Sequence, residues 1–125
     1  MRVLIDSSVW IDYFRSGHQT DELDHLIDSN LVVVNDLILT ELIPFLRLQN
    51  QNALIDIIHD VGKLPISIDW EQIREFQFTC LKNGINGIGI PDLIIVQNAI
   101  QTSSMIFSLD NHFKQMQTYL NLTLY

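Results

Sequence analysis

The stretch VLIDSSVWIDYF, residues 3–14, decides the fold. Val3-Leu4-Ile5 is a short apolar run of strand-forming residues. Asp6-Ser7-Ser8 then supplies the side-chain oxygens that start helices, and Val9, Trp10, Ile11 and Phe14 follow at helical spacing. The unit reads strand, acid, helix. Buried strands of this kind deliver the acid that follows them to the carboxyl end of a sheet, where in a parallel arrangement such ends lie side by side.

Working outward, the same unit recurs. A loop around Ser16-Gly17-His18 leads into an amphipathic helix starting at Thr20-Asp21-Glu22 and carrying Leu23, Leu26 and Ile27. Leu31 to Val34 reads as a second buried strand, with Asn35 or Asp36 to cap the next helix and Glu41 about one turn inside it. Helical side chains lean toward the helix N-terminus, which aims Glu41 back at the strand ends. Pro44 lacks an amide hydrogen and clashes one turn back, so a kink or break is expected between Thr40 and Pro44. Ala53, Leu54, Ile57, Ile58 and Val61 predict a helix ending at Gly62, and Leu64 to Ile68 a short peripheral strand with Pro65 near an edge. Asp69 and Gln72 form a capping-box pattern for a helix that runs to Asn83-Gly84. A glycine-bearing loop, 84–91, precedes a helix opened by Asp92 and apolar on most of its surface. Met105 to Phe107 is the next strand, Asp110-Asn111 caps a short helix with Phe113 and Met116, and Leu120 to Leu124 can close the sheet. Strands alternating with helices imply an α/β sandwich, a central parallel sheet flanked by helices.

With 125 residues, 47% of them hydrophobic, the chain has the size of one compact domain, 1–125, with a core large enough to need no covalent staple. Three prolines and five glycines leave no linker, and no fixed-period repeat is present. Cys80 stands alone and supports no internal disulfide, which fits a reducing cytoplasm. The N-terminal MRVLID enters a strand directly and no apolar run approaches about 18 residues, so neither secretion nor a membrane span is expected. The formal net charge of −8 argues against a broad basic nucleic-acid-binding face. The seven basic residues, Arg2, Arg15, Arg47, Lys63, Arg74, Lys82 and Lys114, form no cluster in sequence.

Asp6, Glu41, Asp92 and Asp110 are the acids at strand-to-helix transitions. Carboxylates brought together repel unless protonated, separated by solvent or neutralised by a cation. Divalent Mg²⁺ or Mn²⁺ suits such an all-oxygen set, and no nitrogen or sulfur ligand set competes for it. The alternative for each single acid is an ordinary helix cap. Ser7, Ser8 and Ser108 have the same two readings, as caps or as hydroxyls orienting a neighbouring carboxylate. Asp12 reads as solvated and Asp36 as a cap. Gly84, Gly87 and Gly89 form a flexible loop beside the acids, because the Lys-Ser or Lys-Thr of a phosphate loop is missing. The four histidines have no zinc spacing, and His112 alone falls near the acids. Arg15, Arg47 and Lys82 are candidates for phosphate contacts with solvated surface positions as the default. Trp10, Phe14 and Phe45 read as packing residues.

Taken together, VLIDSSVWIDYF with Asp6, ILTELI with Glu41, IGIPDLIIVQNAI with Asp92 and IFSLDNHF with Asp110 resemble the PIN-domain ribonucleases, and among them the VapC toxins of bacterial toxin-antitoxin pairs. Four linked motifs in order, over nearly the whole chain, are far more specific than any one. The resemblance implies a PIN-like three-layer sandwich and an endoribonuclease that uses Mg²⁺ or Mn²⁺ to cut single-stranded regions of RNA, leaving a 5′-phosphate and a 3′-hydroxyl. It implies Asp6 and Asp92 as principal metal ligands, Glu41 and Asp110 completing the site directly or through water, and a supporting hydroxyl at Ser108, beside which Ser7 is taken from its place next to Asp6 as a second supporting hydroxyl. It also implies homodimerisation and an antitoxin that wraps the toxin and sets a basic side chain among the carboxylates. Two departures stand out. The family often has a further Asp before the Phe, where this chain has His112, and the helix after Asp92 commonly carries alanines where this one has Ile95, Val96, Gln97 and Asn98. Other classes fit less well. A receiver-like phosphoacceptor needs a Lys after a later strand, a two-Asp phosphatase needs a second Asp two residues after the first, and a non-catalytic PIN-like protein-binding module usually lacks one of the acids.

Overall fold

The computed structural model describes residues 1–17 and 20–125. Helices and strands alternate through it, as β1 (Val3–Ile5), α1 (Ser7–Phe14), α2 (Thr20–Asp28), β2 (Val32–Val34), α3 (Asp36–Leu48), α4 (Asn52–Asp60), β3 (Gly62–Lys63), α5 (Trp70–Lys82), α6 (Ile90–Gln101), β4 (Met105–Phe107) and α7 (Asn111–Gln117). The His18 part of the expected first loop lies outside the described residues.

The strands form one sheet in the order β3-β2-β1-β4, and every pairing is parallel. Val3 pairs with Val32 on one side and with Met105 on the other, so β1 is central and fully buried. From β1 the chain winds outward through β2 and β3 and then returns to lay β4 on the opposite flank. The reversal falls between β1 and β4, and open α/β sheets form a crevice at the carboxyl ends of strands that part in this way. This is the expected central parallel sheet flanked by helices, an α/β sandwich.

Strand residues Val3, Leu4, Ile5, Val34 and Ile106 join Val9, Trp10, Ile38, Leu42, Leu46 and Leu93 in a continuous apolar core. Trp10 packs edge-on against Tyr13 and Phe14 against Phe45, in keeping with the packing role expected of these rings. The Trp10 indole Nε1 is buried without a hydrogen-bond acceptor among the described residues.

Four local expectations need correction. Helix α3 is not broken, because Asp36–Leu48 is one helix with Pro44 inside it. Its buried stripe of Ile38, Leu42 and Leu46 holds both halves against the core, and tertiary burial outweighs one missing intrahelical bond. The edge strand comes earlier than expected, at Gly62–Lys63, and the chain leaves the sheet once the Leu64 amide has donated to the Val34 carbonyl (2.8 Å). At the other edge Leu120 to Leu124 contributes a single parallel bridge, Leu124 to Ile106. Lastly, Asn35 caps α3, its side chain accepting from the Ile38 amide at 2.9 Å, which leaves Asp36 to pair with Lys63 at 3.2 Å on the surface.

Polar side chains tie α6 into this frame. Asn98 donates to the Pro65 carbonyl (2.9 Å) and accepts from Asn35 (2.9 Å). Gln97 donates to the Asp69 carbonyl (3.0 Å) and to Gln72 Oε1 (2.7 Å), and accepts from the Asp69 amide (3.1 Å). The departure from alanine on this helix is therefore structural. Gln97 and Asn98 strap the segment after β3 and the start of α5 to the core.

Candidate active site

Asp6 follows β1 and occupies the N-cap position of α1, yet its carboxylate makes no capping hydrogen bond. It accepts instead from two hydroxyls, Ser8 Oγ and Ser108 Oγ, both at 2.8 Å on Oδ2. Ser8 Oγ also accepts the Leu109 amide at 3.0 Å and Ser108 Oγ the Asp110 amide at 3.0 Å. The two hydroxyls thus clip the loop after β4 to the loop after β1, across the reversal of the sheet. Between the two serines after Asp6, the structure gives this contact to Ser8 and not to Ser7. Ser7 is the first residue of α1, and the contact falls to Ser8, one residue further along the helix and level with the β4 loop. Sequence spacing alone did not distinguish them.

The other acids arrive from separate elements. Glu41 comes from α3, which follows the neighbouring strand β2, Asp92 from the first turn of α6, and Asp110 from the loop after β4. Partial burial of its carboxyl, reinforced by the charges of Asp6 and then Asp92, pushes Glu41 above the ordinary carboxylate range. Asp92 is pushed up as well, first by burial, then by Asp110 and Asp6, with His112 acting in the opposite sense. Each of the two therefore feels the charge of others in the set, as carboxylates do when they share one pocket. Asp110 alone does capping duty, Oδ1 accepting the His112 amide at 2.9 Å, and its second oxygen takes no part in the cap.

The His112 ring lies beside these acids, with Nδ1 3.5 Å from Asp110 Oδ1 and 4.0 Å from Asp92 Oδ2. Lys63, which ends β3, spends its amine on Asp36 and brings no charge to the pocket. The glycine-bearing loop does lie beside the site. Gly87, with φ of +80°, faces the His112 ring so closely that a Cβ there would come 3.8 Å from Nε2. Between this loop and α7 opens a cavity of about 480 Å³ lined by Asn83, Asn86, His112, Gln115 and Tyr119. Cys80 is buried in the core, where desolvation raises its thiol pKa, away from any chemistry.

The arrangement suits a divalent cation. One carboxylate, Asp6, is only 7% exposed yet withheld from helix capping, and its set has no Lys or Arg to neutralise it among the described residues. Among the described residues Asp92, Asp110 and His112 bring donor atoms within 4.8 Å of one another, while Asp6 and Glu41 adjoin them through their charges.

Residues 3–118 match the family model for the PIN domain. The chain belongs to the PIN domain family. Solved structures with this PIN fold include VapBC2 from Rickettsia felis, bound to a DNA fragment from their promoter, at 18% identity and a TM-score of 0.79, covering 100% of this chain and 98% of that one. VapBC-1 from nontypeable Haemophilus influenzae is 17% identical with a TM-score of 0.70, covering 100% and 97%. FitAcB from Neisseria gonorrhoeae is 17% identical with a TM-score of 0.67, covering 98% and 96%. No curated protein matches the sequence. At these identities the PIN fold is what the structures share with this chain. None of its described helices is long and apolar enough to cross a membrane.

Proposed function

We propose that this PIN domain, one domain over 1–125, is a Mg²⁺- or Mn²⁺-dependent endoribonuclease that cleaves single-stranded regions of RNA as the toxin of a toxin-antitoxin pair. The observation that carries the reading is the convergence of Asp6, Glu41, Asp92 and Asp110 from four elements at the reversal of the sheet, with Asp6 held by two hydroxyls instead of capping its helix. Asp6 and Asp92 are the principal ligands and Glu41 and Asp110 complete the set. These carboxylates would hold divalent metal, which when bound would supply an activated water and stabilise the leaving oxygen of a phosphodiester. Ser8 and Ser108 fix the direction in which Asp6 presents its carboxylate, and Glu41 and Asp92, whose proton affinity is raised by burial and by the neighbouring acids, would have to give up any proton they hold to ligate a cation.

The likeness to VapBC complexes, together with the motif resemblance to VapC toxins, supports an antitoxin partner, and the resemblance implies in addition a homodimer, with the lone Cys80 fitting a cytoplasmic protein. The net charge of −8 favours a partner that brings basic side chains to the acids. A receiver-like function is disfavoured because Lys63 points to Asp36 and not into the pocket. A non-catalytic module is disfavoured because all four acids are present.

The test is cleavage of total cellular RNA by antitoxin-free protein with Mg²⁺, Mn²⁺ or EDTA, beside Asp92→Asn, followed by mapping of product ends. Metal-dependent cuts with 5′-phosphates, missing in the variant, are expected. Metal-independent cutting, or equal activity in the variant, overturns the reading.

A further inference from the structure

We propose that His112 is a metal ligand, adding one nitrogen to an otherwise all-oxygen site and biasing it toward Mn²⁺ and later transition ions over Mg²⁺. The inference rests on the carboxylate metal site proposed above and asks what is special to this chain within it.

The ring is placed for the role. Nδ1 lies 3.5 Å from Asp110 Oδ1 and 4.0 Å from Asp92 Oδ2, and the three donor atoms fall within 4.8 Å of one another. Two ligands of one ion, each bonded at about 2.1 Å, stand at most about 4.2 Å apart and about 3.0 Å apart when adjacent in an octahedron, so Nδ1 reaches an ion shared with either oxygen after a shift of at most about 1 Å. The position is anchored at its base, because the His112 amide is fixed on Asp110 Oδ1 at 2.9 Å. The ring has a defined sense too. Nε2 faces Gly87 at ordinary contact distance, and Nδ1 is the nitrogen that looks toward the acids.

The chemistry follows from the donor. Imidazole suits the transition metals, whereas Mg²⁺ keeps to carboxylate, carbonyl and water oxygens and gives up its waters reluctantly. A further Asp at this position would add negative charge and favour a hard ion. His112 instead offers a neutral, softer nitrogen. The competing role is a protonated His112 that merely neutralises Asp92 and Asp110 in the absence of metal. The two roles make opposite demands on metal binding. Removing a competing cation leaves metal affinity unchanged or tighter, and removing a ligand weakens it selectively for the ion that accepts nitrogen more readily.

The experiment uses the full chain stripped of metal, titrated with Mn²⁺ and with Mg²⁺ by calorimetry, and the Mn²⁺ complex examined by pulsed EPR for nitrogen modulation. Wild type is compared with His112→Ala, His112→Asp and Asp92→Asn, each first shown by thermal melting to be folded. The expected result is a nitrogen signal in wild type that both His112 variants lose. His112→Ala should weaken Mn²⁺ at least about tenfold and Mg²⁺ much less, and His112→Asp should narrow the preference between the two ions. A Mn²⁺ complex that depends on Asp92 but shows no nitrogen signal, or a His112→Ala variant that binds both ions as well as wild type, overturns the proposal and leaves the carboxylate site standing. Failure of wild type to bind either ion, or binding indifferent to Asp92→Asn, removes the metal site itself and this ligand with it.

Discussion

Toward its carboxyl-terminal half, helix α6 carries Gln97 and Asn98, each almost fully buried and each satisfied by neutral partners; in its first turn the same helix carries Asp92, set among carboxylates that repel it. The first region buries its polar atoms, and the second keeps only Asp6 buried while its other acids are partly open to solvent. In the first, donors and acceptors are matched atom for atom, so the burial costs little and fixes how α6, the segment after β3 and the start of α5 meet. In the second, protein partners satisfy Asp6 through hydroxyls but leave the surplus negative charge uncompensated. Polar groups that serve the fold are closed on themselves, whereas those that serve a ligand are held in place and left incomplete.

The sharpest way to break the contrast is to neutralise the incomplete region. Asp92→Asn should cut metal-dependent RNA cleavage by more than about a hundredfold, since even groups that only orient a ligand contribute about ten- to a hundredfold. The same change should raise the melting temperature of the metal-free protein, because it removes a like charge from beside Asp6 and Asp110. Activity and stability measured on one preparation settle both signs.

Next in size come the hydroxyls that hold Asp6. Ser8→Ala and Ser108→Ala each delete a 2.8 Å bond to Oδ2 and should lower cleavage by about ten- to a hundredfold with a smaller loss of Mn²⁺ affinity. Ser7→Ala serves as the control and should stay near wild type in a side-by-side rate assay.

The closed region should respond in stability and not in chemistry. Asn98→Ala strands the Asn35 amide and the Pro65 carbonyl, and chemical denaturation should show a loss of about 2 kcal/mol. Residual cleavage by the folded fraction should remain within a few-fold of wild type.

The smallest effect is a pH slope. Glu41 and Asp92 have raised proton affinity in the folded, metal-free protein, so folded molecules hold these protons more tightly than unfolded ones. The stability they contribute is present in full below the unfolded carboxylate values and is lost as pH rises through the folded ones. Melting temperatures in EDTA should therefore show this decline between those limits, Asp92→Asn should flatten it, and Asn98→Ala should leave it intact. Saturating Mn²⁺ should reverse its sign, since the ion binds the deprotonated acids.

Much of this molecule is legible in the order of its residues. The apolar triplets Val3-Leu4-Ile5 and Met105-Ile106-Phe107 announce strands, Asp69 with Gln72 and Asp110 announce helix starts, and the alternation of the two kinds of element leads to a parallel sheet. These are local signals, because strand and helix periods and capping geometry are written within a few consecutive residues. The outcome was different wherever residues far apart in sequence had to decide. Whether Pro44 interrupts α3 depended on how firmly Leu42 and Leu46 are buried, and where β3 begins depended on the register of β2. Which serine holds Asp6 was set by the loop after β4, about a hundred residues away in the chain, and so was the approach of His112 to Asp92. The sequence by itself determined the kinds of element and their order, whereas the expectation that each acid follows a strand fails for Glu41, inside α3, and for Asp92, which follows α5 and a loop. Only the tertiary structure decided which side chains meet, because such contacts depend on strand order and helix packing that no local window contains.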